Sequence, residues 1–546
     1  MKSALTEKII ILTSIFVSLI FTPVNFDALI IPKLTLIFIL ALYLFPQILG
    51  NYKLFLQNFT LKCLAAISIL IITQMIIVMV LSEAPFAQEF YGRTGRALGF
   101  STFFAMAIIF LFFAINSKLE SSKNLIIGLS ISAILSSSYA LLQRFNLDPF
   151  NWNSRTNGII GTLGNPNFQS AFAAMAIIPT FVYLWKRSYR YLLLPVAAVI
   201  FMSVIYFTQS TQGYVIISAA LLVYTIIFFW YRNKFIASSI AVGAFITSLV
   251  AISGMLNQGP LAPFLYKVSV QSRGDFWRSA FGAANSNPIF GVGIDSFGDS
   301  FLIYRDMTAF NHSFGEITDN AHNYFLEFAA TGGYPLAILH LLIVLLTFLS
   351  FISLQRKLQQ FNPQVVALFS AWLAFQMQSI ISPGTLVLIL WNTLISGYFI
   401  GSSIQLNENI NMSTKKPISF SPIKNYFGIG LLVCGLFIMY PLFNSDRALM
   451  KGIKARDANL VMNALSSFPE SSVKYNIFGQ EILRSNLPDQ ALEIAKNATK
   501  FNPNAASAWA LIFSNPKVSK DELLEARNQI IRLDPLNQEV FKFNIK

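Results

Sequence analysis

Hydrophobic and polar positions alternate along this chain in long blocks. Apolar runs of about 17 to 25 residues, long enough to cross a hydrocarbon core as helices, recur as far as about residue 443. Two hydrophilic stretches stand out, a loop at about residues 255–322 and the segment 444–546. The pattern predicts an all-α fold with a polytopic membrane domain of about 12 to 13 transmembrane helices over residues 1–443, followed by a small soluble helical domain over 444–546.

Composition supports this prediction, because hydrophobic residues make up 55% of the chain and charged residues 12%. A water-soluble domain of this size would not show such values. The two cysteines, Cys63 and Cys434, lie inside apolar runs, so neither a disulfide framework nor a thiolate metal site is expected. The sequence also lacks an HExxH motif, a Walker loop and a dinucleotide fingerprint, and we therefore expect no metal and no cofactor.

The net charge of +14 has a topological interpretation. Lysines and arginines gather in alternate short loops, whereas the loops between them contain few bases. The positive-inside rule then places the amino terminus in the cytoplasm, and both hydrophilic stretches outside. The basic charge therefore indicates orientation in a bilayer, and we expect no nucleic-acid partner.

The carboxy-terminal segment has a weak internal repeat. Pro469, Pro503 and Pro535 recur at close to the tetratricopeptide period of about 34 residues. The stretches ALEIAKNATKFNPN and LLEARNQIIRLDPLN are typical of a second repeat helix running into its proline-marked turn. We expect a tetratricopeptide-like domain that could dock a periplasmic partner, with an irregular helical tail as the alternative.

Several arginines lie in the predicted outer loops, where the positive-inside rule predicts few basic residues. Arg93 and Arg96 in FYGRTGRALGF stand at the predicted outer start of a helix, where they would share one face and form a seat for an anion. The alternative is that they extend to lipid headgroups. In GTLGNPNFQSAF the turn from Asn165 to Asn167 leads into a helix whose first backbone amides could hold a phosphate, although a plain tight turn explains the same residues.

Two further residues are the candidates for catalysis. Arg273 in SRGDFWRSAF has the planar, permanently charged group that binds phosphate in a bidentate manner. In DNAHNYFLEFAATGG, His322 would lie in the first turn of a long helix capped by Asp319 or Asn320, where the helix dipole keeps an imidazole neutral and able to accept a proton. A merely capping or interfacial histidine is the alternative. His340 is expected to be a buried structural residue.

An enzyme on the outer face has no ATP, so its substrate must already be activated. A lipid-linked diphosphate sugar meets that requirement, because arginines can stabilise its diphosphate leaving group.

Taken in order, FYGRTGRALGF, GTLGNPNFQSAF, SRGDFWRSAF with NPIFGVGIDSF, and DNAHNYFLEFAATGGYPLAI resemble the successive motifs of the O-antigen ligase superfamily. That superfamily also contains O-antigen polymerases and protein O-oligosaccharyltransferases. The resemblance implies a metal-independent glycosyltransferase of the bacterial inner membrane. Such an enzyme moves a glycan from undecaprenyl diphosphate to an acceptor hydroxyl at the periplasmic face.

The resemblance also implies roles for individual residues. Arg273 would bind the donor diphosphate, and His322 would deprotonate or orient the acceptor hydroxyl. The remaining donor-binding candidates are Arg93, Arg96, Arg155, Asn165, Asn167 and Gln212. Gln212 stands where the family commonly has an arginine, so either Arg96 or Arg155 substitutes for that arginine or the donor differs.

The sequence leaves the acceptor open. We place an O-antigen ligase with a lipid A core acceptor first, ahead of a protein O-oligosaccharyltransferase or a polymerase that uses the same donor. A transporter of lipid-linked glycans is a further alternative, but transporters usually carry charges within their spans, and these spans are nearly free of charge. A membrane scaffold would leave the loop arginines and His322 unexplained.

Overall fold

The computed structural model describes residues 2–150, 152, 158–313, 317–408 and 422–537. All regular elements in these ranges are α-helices. The first eleven are α1 (Lys2–Leu19), α2 (Ile31–Leu49), α3 (Tyr52–Gln57), α4 (Phe59–Leu81), α5 (Phe86–Tyr91), α6 (Phe100–Asn116), α7 (Ser121–Arg144), α8 (Pro166–Trp185), α9 (Arg190–Phe207), α10 (Thr211–Trp230) and α11 (Lys234–Met255). The loop helices are α12 (Ala262–Leu265), α13 (Val268–Ser286), α14 (Phe297–Tyr304) and α15 (Met307–Ser313). Then follow α16 (Tyr324–Leu358), α17 (Pro363–Ile381), α18 (Leu386–Glu408), α19 (Pro422–Ala455), α20 (Ala458–Leu465), α21 (Ser472–Arg484), α22 (Pro488–Phe501), α23 (Ala506–Phe513) and α24 (Lys520–Leu533).

Within the described ranges, eleven helices are long and apolar enough to cross a membrane. They are α2, α4, α7, α8, α9, α10, α11, α16, α17, α18 and α19, and α6 is a shorter apolar helix. The predicted all-α polytopic membrane fold is therefore confirmed. Helices α8 and α18 lie at the centre of the bundle and are mostly buried, whereas α10 and α11 are largely exposed along their apolar faces, as expected of helices that face lipid.

Asparagine side chains begin many of the long helices. Each accepts hydrogen bonds from backbone amides of the first helical turn, which have no partner within the helix. The asparagines with this role are Asn58 at α4, Asn165 at α8, Asn233 at α11, Asn323 at α16 and Asn362 at α17. These caps define where each helix starts, and Asn323 directly follows His322 in the sequence.

Helix α16 is kinked at Gly333, whose φ of 75° lies in the left-handed region. The connection between α13 and α14 packs into this kink. The Tyr334 amide donates to the Pro288 carbonyl at 2.9 Å, and the Val292 amide donates to the Ala330 carbonyl at 2.8 Å. A Cβ on Gly333 would lie 2.4 Å from the backbone of Ile289, so only glycine allows this close approach. The kink thereby attaches the long loop to the helix that follows His322.

The carboxy-terminal helices continue directly from the membrane part. Helix α19 runs from Pro422 to Ala455 without a break, so the predicted domain boundary at residue 443 lies within one helix. Helices α20 to α24 pack in succession, with apolar contacts between neighbours. The tetratricopeptide-like character of these helices stays a prediction.

Candidate active site

Arg93 and Arg96 lie in a loop and not on a helix. Helix α5 ends at Tyr91 and α6 begins at Phe100, so the prediction that both arginines share one face at a helix start is wrong. The loop turns through left-handed conformations at Gly92, Gly95 and Ala97, with φ of 89°, 85° and 53°. We call residues 92–98 the arginine loop. Its two glycines permit this shape and mark a turn in the sequence, which the helical interpretation overlooked.

Both guanidinium groups of the arginine loop are paired with carboxylates. Arg93 donates to Asp299 at 2.7 Å, and Arg96 donates to both oxygens of Asp319 at 2.8 and 3.0 Å. Although burial alone raises it, the pKa of the Asp319 carboxyl is lowered, because Arg96 attracts it and donates hydrogen bonds to it. The arginine loop therefore offers less free positive charge than its sequence indicates.

A third carboxylate binds the backbone of the arginine loop. Asp295 is buried and accepts hydrogen bonds from the backbone amides of Arg93 and Leu98 at 2.7 and 3.1 Å. Burial raises the pKa of Asp295 to about 6, against the lowering effect of those hydrogen bonds and of the nearby arginines. The sequence did not reveal these carboxylates as partners of the loop, because Asp295 and Asp299 contact it across more than 200 positions.

His322 lies just outside α16. Its φ of 50° is left-handed, and the cap of the helix is Asn323, so the prediction that Asp319 or Asn320 caps a helix containing His322 is wrong. Asn320 instead accepts a hydrogen bond from the backbone amide of His322 at 2.8 Å. The preceding Ala321 amide donates to Glu327 at 2.6 Å. The turn that carries His322 is thus fixed by its own neighbours in sequence.

The imidazole of His322 is held neutral. Burial lowers the pKa of His322 to about 4, with further lowering by Arg96 and Arg273, while Asp319 opposes them. Its ring lies against Phe276, with centroids 5.3 Å apart. Within the described residues, no hydrogen bond occupies either ring nitrogen. The lowered pKa favours the neutral imidazole predicted from the sequence, and its causes are burial and neighbouring arginines.

Arg273 projects from α13 and differs from the arginines of the loop. Its Nε donates to the carbonyl of Ile381 at 2.9 Å, and a terminal nitrogen donates to the carbonyl of Ser269 at 3.1 Å. These backbone carbonyls orient the guanidinium without neutralising it, and no described carboxylate forms an ion pair with it. Burial lowers the pKa of Arg273, but an arginine stays charged at any physiological pH.

The remaining predicted residues form a second group, at the starts of α8 and α10. Asn165 caps α8, and Asn167 accepts a hydrogen bond from Ser210 at 2.7 Å. Gln212, two residues further, is buried with neither side-chain amide atom hydrogen-bonded to a described residue. No described contact joins this group to Arg273 or His322. Arg155 lies outside the described residues.

His312 of α15 lies beside a carboxylate. Its Nδ1 is 3.3 Å from both oxygens of the buried Asp275, and Arg278 pairs with the same carboxylate at 2.6 Å. In the described part of the chain, no cluster of three or more metal-ligating side chains occurs.

The helices and the charged groups together define a class. This is a polytopic helical membrane protein in which the arginine loop, Arg273 and His322 meet beside one end of the membrane helices. Residues 196–341 match the family model described as O-antigen ligase. This match supports the O-antigen ligase superfamily for the matched segment. Members of this family are membrane glycosyltransferase-like enzymes. The matched segment contains Gln212, Arg273 and His322 but neither the arginine loop nor the carboxy-terminal helices. No curated protein matches the chain.

Proposed function

We propose that this protein transfers a glycan from undecaprenyl diphosphate to an acceptor hydroxyl, in the manner of an O-antigen ligase. One observation carries the proposal: Arg273, which is oriented by carbonyls and has no described carboxylate partner, lies close enough to the neutral His322 to depress its pKa. A free, fixed positive charge beside a proton acceptor suits the departure of a diphosphate and the attack of a hydroxyl.

The reaction assigns one task to each group. The acceptor hydroxyl donates its hydrogen bond to His322 and attacks the anomeric carbon, forming a new carbon–oxygen bond as the bond to the diphosphate breaks. His322 takes the hydroxyl proton, and Arg273 stabilises the charge that develops on the departing diphosphate. The proton then passes from His322 to the diphosphate or to water, which restores the neutral imidazole.

Donor binding also prepares His322 for this role. A pKa of about 4 makes His322 a weak base in the unliganded protein. Since Arg96 and Arg273 contribute to that depression, a bound diphosphate would offset their field and raise the pKa toward the working pH. His322 thus becomes an effective base only when the activated donor is bound, and it stays neutral while the site is empty.

The proposal includes the orientation of the protein in the membrane and the identity of the acceptor. The positive-inside distribution of lysines and arginines supports an inner-membrane protein with a cytoplasmic amino terminus and a periplasmic site. We place lipid A core first as the acceptor because the family match is to the O-antigen ligase model. The charges that a transporter would carry along its helices are few here, which favours the enzyme.

The test is glycan transfer in a host that lacks the gene, complemented with the wild-type chain, His322→Ala or Arg273→Gln at matched expression. Arg484→Gln is the control, because Arg484 is exposed and makes only a long 4.0 Å contact with Glu481. Surface polysaccharide, glycoproteins and the lipid-linked donor are measured together.

We expect both site variants to lose one glycosylated product and to accumulate lipid-linked donor, while Arg484→Gln behaves as wild type. The product that disappears identifies the acceptor as lipid A core or protein. Normal transfer by His322→Ala would refute the role of His322 as the base. If the site variants deliver less lipid-linked donor to the periplasmic side but still transfer glycan, the result would favour a transporter.

A further inference from the structure

The arginine loop is connected to the carboxy-terminal helices at three consecutive residues. Arg93, Thr94 and Gly95 each belong to a separate chain of contacts that ends on α21 or α22 or at their boundaries. The loop and these helices are nearly 400 residues apart in sequence, with Thr94 and its partner separated by 377 positions. Because three separate chains of contacts meet on three consecutive residues, these helices are placed to hold the arginine loop in position.

The first connection runs through the carboxylate that holds Arg93. Asp299 accepts the Arg93 guanidinium on one oxygen at 2.7 Å. Its other oxygen accepts the side-chain amide of Asn502 at 3.0 Å and that of Gln88 at 2.8 Å. Asn502 follows the last residue of α22, is 1% exposed, and also donates to Ser472 at 3.0 Å. The carboxyl end of α22 therefore helps to orient the partner of Arg93.

The second connection is direct. The hydroxyls of Thr94 and Ser471 lie 2.7 Å apart, and Ser471 caps the start of α21. Nearby, the rings of Tyr91 and Phe468 are in edge contact, with centroids 6.1 Å apart.

The third connection passes through two carboxylates. The backbone amide of Gly95 donates to Asp27 at 2.9 Å, and the backbone amide of Asp27 donates to Asp446 at 2.9 Å. Asp446 is fully buried and forms an ion pair of 2.9 Å with Lys474 of α21. A buried charge needs such a partner, so this ion pair fixes α21 against α19, and the Asp27 amide joins both to the segment between α1 and α2.

We propose that the carboxy-terminal domain is a positioning domain for the arginine loop, and that Asn502 is its main positioning residue. The loop turns through three left-handed residues and has little regular structure of its own, so its shape depends on support from outside. By holding Asp299, Asn502 sets the direction of Arg93. The three connections together, which we call the brace, also fix the backbone next to Arg96, whose charge acts on His322. The consequence for transfer rests on the proposed function, whereas the brace itself does not.

The test compares Asn502→Ala with Asn463→Ala in the full-length protein. Asn463 is an exposed residue of α20 whose side chain makes no described hydrogen bond, so it controls for the same substitution in the same domain. Amide hydrogen exchange of the arginine loop and glycan transfer at varied donor concentration are measured for both, with exchange in α23 and α24 reporting whether the domain still folds.

We expect faster exchange in the arginine loop for Asn502→Ala alone, unchanged exchange in α23 and α24, and a fall of about tenfold in kcat/KM for the donor. N502D adds a second readout, because its carboxyl would repel Asp299 when ionised and donate to it when protonated. Its defect should shrink as the pH is lowered from about 7.5 to 5.5, unlike that of N502A.

Unchanged exchange in the arginine loop for both Asn502 variants would overturn the brace. If the loop loosens but the wild-type chain transfers no glycan, the brace stands and the proposed function fails. A loosened loop with unchanged kcat/KM in an active enzyme would refute the positioning role of Asn502.

Discussion

At the residue scale, the proposed roles of His322 and Arg273 rest on the contacts that each side chain makes. His322 is neutral because it is buried and lies near two arginines. Arg273 is charged and is oriented by carbonyls of Ile381 and Ser269. The sequence predicted both residues, since their motifs are local. It could not predict that Arg93 and Arg96 are paired with Asp299 and Asp319, because those contacts span more than 200 positions.

The electrostatics of His322 predict a pH dependence with a definite sign. Because burial and the arginines lower its pKa to about 4, the imidazole stays neutral and active at all higher pH values, and activity is lost as the pH falls through the pKa. We expect kcat/KM for the donor, which reports the unliganded enzyme, to stay flat from about pH 8 down to about pH 5.5. The inflection of kcat should lie at higher pH, because the bound diphosphate offsets the arginines.

Steady-state transfer measured across this pH range, with melting temperature as the check on folding, tests the expectation. A common inflection near the ordinary histidine value of about 6.5 in both parameters would contradict the electrostatic account.

At the scale of elements, the long apolar helices were predictable, because hydrophobic length is a local property. The short elements were not. The arginine loop was predicted as a helix start, although its turn depends on the buried Asp295 from a distant segment. His322 was predicted inside α16, although its turn is fixed outside the helix by Asn320 and Glu327, its neighbours in sequence. The kink at Gly333 likewise follows from the packing of the loop at Ile289, which the sequence signals only as a pair of glycines.

We expect Gly333→Ala to destabilise the protein by about 1 to 3 kcal/mol, since a methyl group there meets the backbone of Ile289 and the left-handed φ adds strain. Thermal unfolding in detergent measures the effect. Gly243→Ala on α11 is the matched control, because a Cβ at Gly243 meets no atom within 4 Å. Equal melting temperatures for the two variants would show that the kink is not held by this contact.

At the scale of the whole molecule, the carboxy-terminal helices are joined to the membrane part by buried ion pairs. Arg305 of the long loop pairs with Asp534, which follows α24, at 2.7 Å, and the side chains are 5% and 8% exposed. Lys474 and Asp446 form a second such pair. The sequence indicated a helical domain but gave no sign of where it docks, because docking depends on complementary surfaces and not on a repeat period.

Removing one member of the Arg305–Asp534 pair should leave the other charge buried without its partner. We expect Arg305→Ala to loosen the docked domain by about 3 to 5 kcal/mol, and the double variant Arg305→Ala with Asp534→Ala to recover much of that loss. Limited proteolysis between α19 and α20 and chemical unfolding measure it. Arg484→Ala at the exposed pair with Glu481 should have little effect, and an equal loss there would mean that burial does not matter.

In the proposed reaction, one site binds a lipid diphosphate with Arg273 and activates a hydroxyl with His322. The most direct measurement is donor binding and glycan transfer by the purified protein in nanodiscs, supplied with an undecaprenyl-diphosphate glycan and lipid A core. We expect His322→Gln to bind donor with nearly wild-type affinity but to lose transfer by at least about 100-fold, and Arg273→Gln to weaken donor binding by about tenfold or more. Donor binding unaffected by Arg273→Gln, or transfer retained by His322→Gln, would contradict the account.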